Sequence, residues 1–215
     1  MSLRQETLTA VLTSEYGTGR YYPNALNLTD LKKAGLMSEV QRTFKRLGGI
    51  LTEAPLSFGK WDICLNDFIV ELDEEQHFNR YRAVTLDSYI YHMEKGFDVY
   101  DYGKYCKLYE ENCLKKSSWG KFWTSPSTEK QFGNSGFKGN LETLGSPRWK
   151  QRAFYDYLRD IFAIIYRIPL IRVSIYDKII ANGLIKSVGT ILIDGNTSDL
   201  NEIVKFIGQK TTQLI

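Results

Sequence analysis

The feature that most constrains the fold is the run from Trp61 to His77, WDICLNDFIVELDEEQH. Apolar residues alternate on both sides of Asn66-Asp67, with Ile63 and Leu65 before the pair and Phe68, Val70 and Leu72 after it. Period-two alternation marks strands with one buried face, and a two-residue polar pair between two such runs predicts a tight hairpin. The turn sets the register: Leu65 pairs with Phe68, Cys64 with Ile69, Ile63 with Val70, and Asp62 falls opposite Glu71. Paired side chains share one face of a sheet, with Cβ atoms about 4.5–5.5 Å apart. Asp73, two residues beyond Glu71, lies on that face as well.

Like charges directly opposite destabilise a sheet, so three converging carboxylates call for compensation. A divalent cation supplies it. Hard oxygen ligands suit Mg²⁺ or Mn²⁺, and such an ion activates water and offsets charge on a phosphodiester under attack. Asp62, Glu71 and Asp73 are therefore the candidate metal ligands, and phosphate-ester hydrolysis is the implied chemistry. His77, in the polar turn beyond the strand, is a candidate general acid or base, or a partner of metal-bound water. Glu74 and Glu75 read as a solvated edge.

Elsewhere the pattern is more helical. Thr29-Asp30-Leu31 opens a turn that ends before Gly35, and Ser38 with Gln41 has capping-box spacing. Val40, Phe44 and Leu47 then recur at helical intervals until Gly48-Gly49. Three segments predict a meander of strands: Ile50 to Leu56, Phe58 to Leu65, and Phe68 to Asp73. Residues 78–146 are rich in Tyr, Lys, Gly and Ser with weak periodicity, and read as an insertion. Helical pieces are expected there at about Thr85 to Lys95 and Tyr100 to Leu114, with a loop-like stretch from Ser117 to Gly145. Pro147 opens a long helix with the stripe Phe154, Leu158, Ile161, Phe162 and Ile165, and Pro169 leads into a strand through Leu170, Ile171, Val173 and Ile175. An apolar run from Val188 to Ile193 and an amphipathic helix from about Ser198 make a C-terminal extension from about residue 185. The whole, 1–215, reads as a single domain whose core runs helix, three strands, helix, strand.

An apolar content of 43% and an aromatic content of 13% suffice for one substantial core carrying an insertion. No apolar run reaches the roughly 18 residues that span a bilayer, and no basic-then-apolar leader opens the chain, so a cytoplasmic protein is expected. Cys64, Cys106 and Cys113 read as reduced thiols. A net charge of +3 does not announce nucleic acid by itself, but its distribution is suggestive. Lys115, Lys116, Trp119, Lys121, Phe122 and Trp123 interleave cations with aromatic rings, a composition that tracks phosphates and stacks on bases, and equally describes the underside of a packed loop. The glycine-rich run from Gly133 to Gly139 lacks the Gly-Lys-Ser/Thr ending of a phosphate loop, Cys106 and Cys113 are too far apart for a zinc half-site, and no Gly-x-Ser-x-Gly elbow occurs.

The run WDICLNDFIVELDEEQH, with a helix starting at Glu39 before it and the helix and strand from Arg148 to Tyr176 after it, resembles the PD-(D/E)xK nuclease superfamily. Within that superfamily IVELDEEQH is similar to the strand of the very-short-patch-repair-like endonucleases, roughly V-E-x-D-G-x-x-H. The resemblance implies a restriction-endonuclease-like α/β fold with an αβββαβ core around a central mixed sheet, and a Mg²⁺- or Mn²⁺-dependent endonuclease acting on DNA. Asp62 then matches the first metal-binding aspartate, Glu71 the second acidic ligand, and Asp73 the position that holds lysine in most of the superfamily. Glu39 matches a glutamate of the first core helix, and Gln76 and His77 the polar pair after the strand. Glu74 stands where glycine is usual, and the motif lysine is missing. Lys150 and Arg152 on the second core helix, and Lys60 near the hairpin, are candidates to replace it; Lys150 and Arg152 join Lys115, Lys116, Trp119 and Lys121 as expected DNA contacts. The alternative is a nuclease fold retained, without catalysis, as a scaffold for nucleic acid or a protein partner.

Overall fold

A computed structural model describes residues 2–92, 96–117 and 123–214. Helix α1 (Leu3–Tyr16) opens the chain, with the Ser2 hydroxyl accepting from the Gln5 amide at 3.2 Å. Its buried residues are Leu8 and Leu12 alone, too thin a stripe to announce a core helix in sequence. Helices α2 (Leu28–Lys33) and α3 (Met37–Arg46) lie where helical spacing puts them.

Gln41 does not close a capping box, since α3 starts after Leu36 with no side-chain cap. Instead Gln41 Nε2 donates to the Thr52 carbonyl and its Oε1 accepts from the Ala54 amide, both at 2.8 Å. A side chain thus satisfies backbone groups that a neighbouring strand would otherwise pair, and the expected strand from Ile50 to Leu56 is irregular. The next expected strand shortens to β1 (Ile63–Cys64), followed by β2 (Ile69–Asp73). The three-stranded meander is therefore a two-stranded hairpin. Its register is the anticipated one, Ile63 opposite Val70 and Cys64 opposite Ile69, with the Leu65 amide donating to the Phe68 carbonyl at 3.0 Å across the turn.

After a 3₁₀ turn at Glu75–His77 the expected insertion proves largely helical: α4 (Arg80–Leu86), a 3₁₀ turn at Tyr89–His92, α5 (Val99–Leu108), α6 (Glu110–Ser117) and α7 (Pro126–Phe132). Asn79 caps α4 earlier than the apolar spacing suggests, and Ser125 with Thr128 forms a capping box that starts α7 inside the stretch read as loop. Helix α8 (Pro147–Tyr166) has Ser146 as its cap and Pro147 at its first position. Strand β3 (Leu170–Ser174) lies parallel to β2 with Glu71 beside Arg172 and Asp73 beside Ser174. Strands β4 (Lys178–Ala181) and β5 (Leu184–Ser187) form a separate hairpin around Asn182-Gly183, where φ is 52° and 75°. Asn-Gly is the strongest short hairpin signal, so this pair was readable in the sequence. The apolar run after it is helix α9 (Val188–Asp194), and α10 (Thr197–Leu214) ends the described chain.

This is a mixed α/β fold: a central sheet ordered β1-β2-β3, antiparallel then parallel, with helices on both faces. On one face Ile63, Leu65, Phe68, Val70, Leu72, Ile171 and Val173 pack with Leu8 and Leu12 of α1 and with residues of α9 and α10. On the other, Ile69 and Leu170 join Phe154, Tyr157, Leu158 and Ile161 of α8. Every residue of β2 and β3 is buried, as expected of strands covered on both faces. No helix among the described residues is long and apolar enough to cross a membrane.

Candidate active-site cleft

The face of the sheet toward α8 changes character along the strands. It is apolar at Ile69 and Leu170 and charged at Glu71, Asp73 and Arg172, toward the C-terminal ends of the parallel pair, where α/β sheets place their ligands. Opposite stand Asp156, Arg159 and Asp160 of α8, all buried. Asp160 accepts from Arg82 Nη2 at 3.0 Å, Tyr91 Oη at 2.7 Å and Arg172 Nε at 2.7 Å. Arg172 Nη1 donates to both Asp73 oxygens, at 3.0 and 3.1 Å, and its Nη2 donates to the Asp156 carbonyl at 2.9 Å. Each of the three guanidinium nitrogens thereby has an acceptor, as burial of the group demands.

Asp62 and Glu71 lie at the open edge of this network. The Asp62 amide donates to Glu71 Oε1 at 2.9 Å, and the Leu72 amide donates to Asp62 Oδ2 at 3.1 Å. Gln5 Nε2 of α1 donates to Asp62 Oδ1 at 3.0 Å. Glu71 Oε2 is 3.2 Å from Arg159 Nε, and Arg159 Nη1 is 3.1 Å from Asp156 Oδ1. Burial pushes the Glu71 carboxyl up to about 8 against the pull of Arg159, with Asp62 adding to the rise. Burial likewise raises Asp62, partly offset by Arg159 and the Leu72 amide. For Asp156 burial also works upward, but the hydrogen bond from His77 and the charges of Arg172 and Arg82 outweigh it and hold the carboxyl well below the usual range.

His77 stands between the network and solvent. Its Nδ1 is 2.8 Å from Asp156 Oδ2 and 3.1 Å from Asp73 Oδ1, and its Nε2 is 3.1 Å from Arg152 Nη1. A guanidinium has no lone pair to offer, so Nε2 accepts and Nδ1 carries the proton toward the carboxylates. Asp62, Glu71 and His77 share a cleft of about 480 Å³ with Gly59, Ser127, Gln131, Arg148, Gln151, Arg152, Tyr155 and Arg159.

Asp73, His77 and Asp156 form a group able to hold a metal ion, one ligand atom from each lying within 4.8 Å of the others. Asp62 and Glu71 offer a second donor set of hard carboxylate oxygens opening on the cleft. Both sets fit a divalent cation in chemistry. At Asp73 the ion would compete with Arg172 Nη1, which reaches both carboxylate oxygens, and at His77 with the Nδ1 proton; at Glu71 its rival is Arg159.

Of the other residues singled out in the sequence, Arg152 lines the cleft. Glu39 is buried apart from the cleft lining, accepting from Ser88 Oγ at 2.5 Å and Arg42 Nε at 2.8 Å. Gln76 turns its backbone carbonyl to Asn79 Nδ2 at 3.2 Å. Lys150 Nζ donates to the Leu144 carbonyl at 2.9 Å, Lys60 is exposed with its carbonyl accepting from Arg159, and Lys115 and Lys116 are exposed on α6. Trp119 and Lys121 lie outside the described residues. The cation beside Glu71 is thus Arg159, which sequence reasoning passed over with Arg148, Asp156 and Arg172. A signal existed: Arg159-Asp160 interrupts the apolar stripe of α8, and Arg172 sits between Ile171 and Val173 in a mostly apolar strand.

Comparison with curated proteins and with solved structures returns no match. A family model does match residues 42–194, a span that takes in β1, β2, α8 and β3 and hence Asp62, Glu71, Asp73, His77, Asp156, Arg159 and Arg172. The chain belongs to that family, a family of unknown function designated DUF7255.

Proposed function

We propose that the protein is a metal-dependent phosphodiesterase of nucleic acid, an endonuclease acting on DNA, built on a variant of the PD-(D/E)xK arrangement. The observation that carries the reading is that Asp62 and Glu71, from adjacent segments of one hairpin, line the same cleft as His77 and Arg159. Asp62 and Glu71 are the residues that would hold Mg²⁺ or Mn²⁺, with the Asp73, His77 and Asp156 group as the alternative seat. When bound, the ion supplies Lewis acidity toward a phosphoryl oxygen and lowers the pKa of water.

The grouping of charges supports this reading: the carboxyl groups of Asp62 and Glu71 share the cleft with the guanidinium groups of Arg148, Arg152 and Arg159, so cation ligands and phosphate-attracting groups face one space. Arg159 takes the role of the missing motif lysine, as a fixed positive charge beside Glu71. His77, oriented through Nδ1 by Asp156, presents Nε2 to the cleft, and a phosphate that draws Arg152 away leaves Nε2 free to accept a proton from water.

The deciding experiment is a nicking assay on plasmid and on single-stranded circular DNA with Mn²⁺ or Mg²⁺, for the wild type and Asp62→Asn, run beside thermal melts over a range of metal concentration. Metal-dependent nicking and a metal-dependent rise in Tm, both lost in Asp62→Asn, support the proposal. A rise in Tm without nicking favours the scaffold reading, in which the fold binds nucleic acid or a protein without cutting.

A further inference from the structure

Helix α8 carries six residues on one line: Arg148, Arg152, Tyr155, Arg159, Phe162 and Tyr166. Spaced alternately four and three apart, they stay within about 40° of a common direction and run about 27 Å along the helix. The first four line the cleft described above. The last two line a second cavity of about 710 Å³, with Arg20, Tyr21 and Tyr22 on its opposite wall. Trp61 joins the two: its ring centroid is 5.3 Å from that of Phe162 and 6.0 Å from the Arg159 guanidinium carbon. The two cavities thus lie at the ends of one helix line whose middle, Arg159 and Phe162, is buried against Trp61, with arginines beside the carboxylates at one end and aromatic rings at the other.

The arginines at the start of the line are not balanced. Among the described residues neither Arg148 nor Arg152 has a carboxylate within ion-pair distance, and the one polar contact of Arg152 is His77 Nε2. At the other end Tyr21 is 81% exposed and Arg20 stacks over Tyr22, with 5.0 Å between the guanidinium carbon and the ring centroid. Exposed rings offer stacking faces to bases and unpaired guanidinium groups attract phosphates. Cations followed by stackable rings along one groove are the means by which proteins hold unpaired strands. A paired duplex buries its base faces and cannot use the tyrosines.

We infer that the two cavities are the ends of a track for an unpaired polynucleotide strand that crosses over the partly exposed Trp61, with phosphates on Arg148 and Arg152 and bases against Tyr21 and Tyr166. The inference rests on the proposed phosphodiesterase reading for its biological sense, and it narrows the substrate class to single-stranded or frayed nucleic acid. Binding itself requires no metal.

The test is fluorescence polarisation with a labelled octathymidylate and with an eight-base-pair duplex, in EDTA, so that neither metal binding nor cleavage enters. The octathymidylate should bind the wild type more tightly than the duplex. Tyr21→Ala should weaken the octamer by about tenfold and leave the duplex unchanged, as loss of one stacking ring does. Arg148→Ala should weaken the octamer and reduce the slope of log affinity against log salt by about one, as loss of one phosphate contact does. Tyr21 is exposed and Arg148 partly so, each lining its own cavity, and unchanged Tm values certify the fold. Equal or tighter binding of duplex, or octamer affinity that neither variant alters, overturns the track. Loss of metal-dependent stabilisation and nicking would overturn the phosphodiesterase reading alone, so the two failures are separable.

Discussion

The Asp62 backbone amide donates to Glu71 Oε1 at 2.9 Å, so two acidic residues that should repel across a hairpin are tied by the peptide of one to the carboxylate of the other. The Leu72 amide returns the contact to Asp62 Oδ2 at 3.1 Å. Backbone donors hold both carboxyl groups in place, which is the preorganisation a cation site needs.

Removing one of these charges should separate metal binding from folding. Asp62→Asn is expected to abolish the rise of Tm with Mn²⁺ while leaving the metal-free Tm equal to or above that of the wild type, since burial disfavours the Asp62 carboxylate and the amide carries no charge to desolvate. Asp156→Asn is the control for the alternative seat. If it, and not Asp62→Asn, removes the metal response, the ion sits at Asp73, His77 and Asp156.

Glu71 links stability to pH. Its carboxyl ionises near 4.5 in an ordinary setting and near 8 in the fold, where burial favours the neutral acid. The native state therefore holds the proton more tightly than the unfolded chain, and this contribution to stability, complete below pH 4.5, is lost as pH rises through 8. Without metal, urea denaturation should show stability falling across that interval by an amount of the order of a few kcal/mol. Glu71→Gln should flatten the profile. Mn²⁺ should oppose the fall, because metal and proton compete for one carboxylate, and its stabilising effect should therefore grow with pH.

His77 depends on Asp156 for its tautomer. In Asp156→Asn the side-chain amide can present its N–H to Nδ1, which moves the imidazole proton to Nε2 and removes the acceptor from the cleft. Nicking should fall by about 10²–10⁴-fold, the usual worth of a general base, with metal binding at Asp62 and Glu71 retained. A His77→Gln variant should match it in rate, and the double variant should lose no more than either single change. Additive losses would show that the two residues act independently.

Arg172 should be indispensable to the fold. It has no exposed surface and pairs with Asp73 and Asp160, so Arg172→Met leaves two buried carboxylates short of a partner. A loss of about 3–5 kcal/mol in urea denaturation is expected. The double variant Arg172→Met/Asp160→Asn should recover part of that loss, because one stranded charge is removed with its partner.

The hairpin at Asp62 to Asp73 was legible in sequence because its determinants are local. Alternation of Ile63, Leu65, Phe68, Val70 and Leu72 fixes the buried face, and a two-residue turn fixes the register, so the common face of Asp62, Glu71 and Asp73 needs no knowledge of the rest of the chain. The long helix from Pro147 and the strand from Leu170 were legible for the same reason, through a cap, a proline and a stripe. Tertiary structure decided the rest. Whether Ile50 to Leu56 is a strand depends on Gln41, which takes up its backbone groups from another element. That Arg159 stands beside Glu71 depends on the packing of α8 across β2, and that Arg172 serves both Asp73 and Asp160 depends on β3 aligning parallel to β2. A sequence pattern can say that such charges lie on a buried face. Only the packing of distant elements chooses their partners, because a buried charge is stabilised by whatever the fold brings within hydrogen-bonding distance.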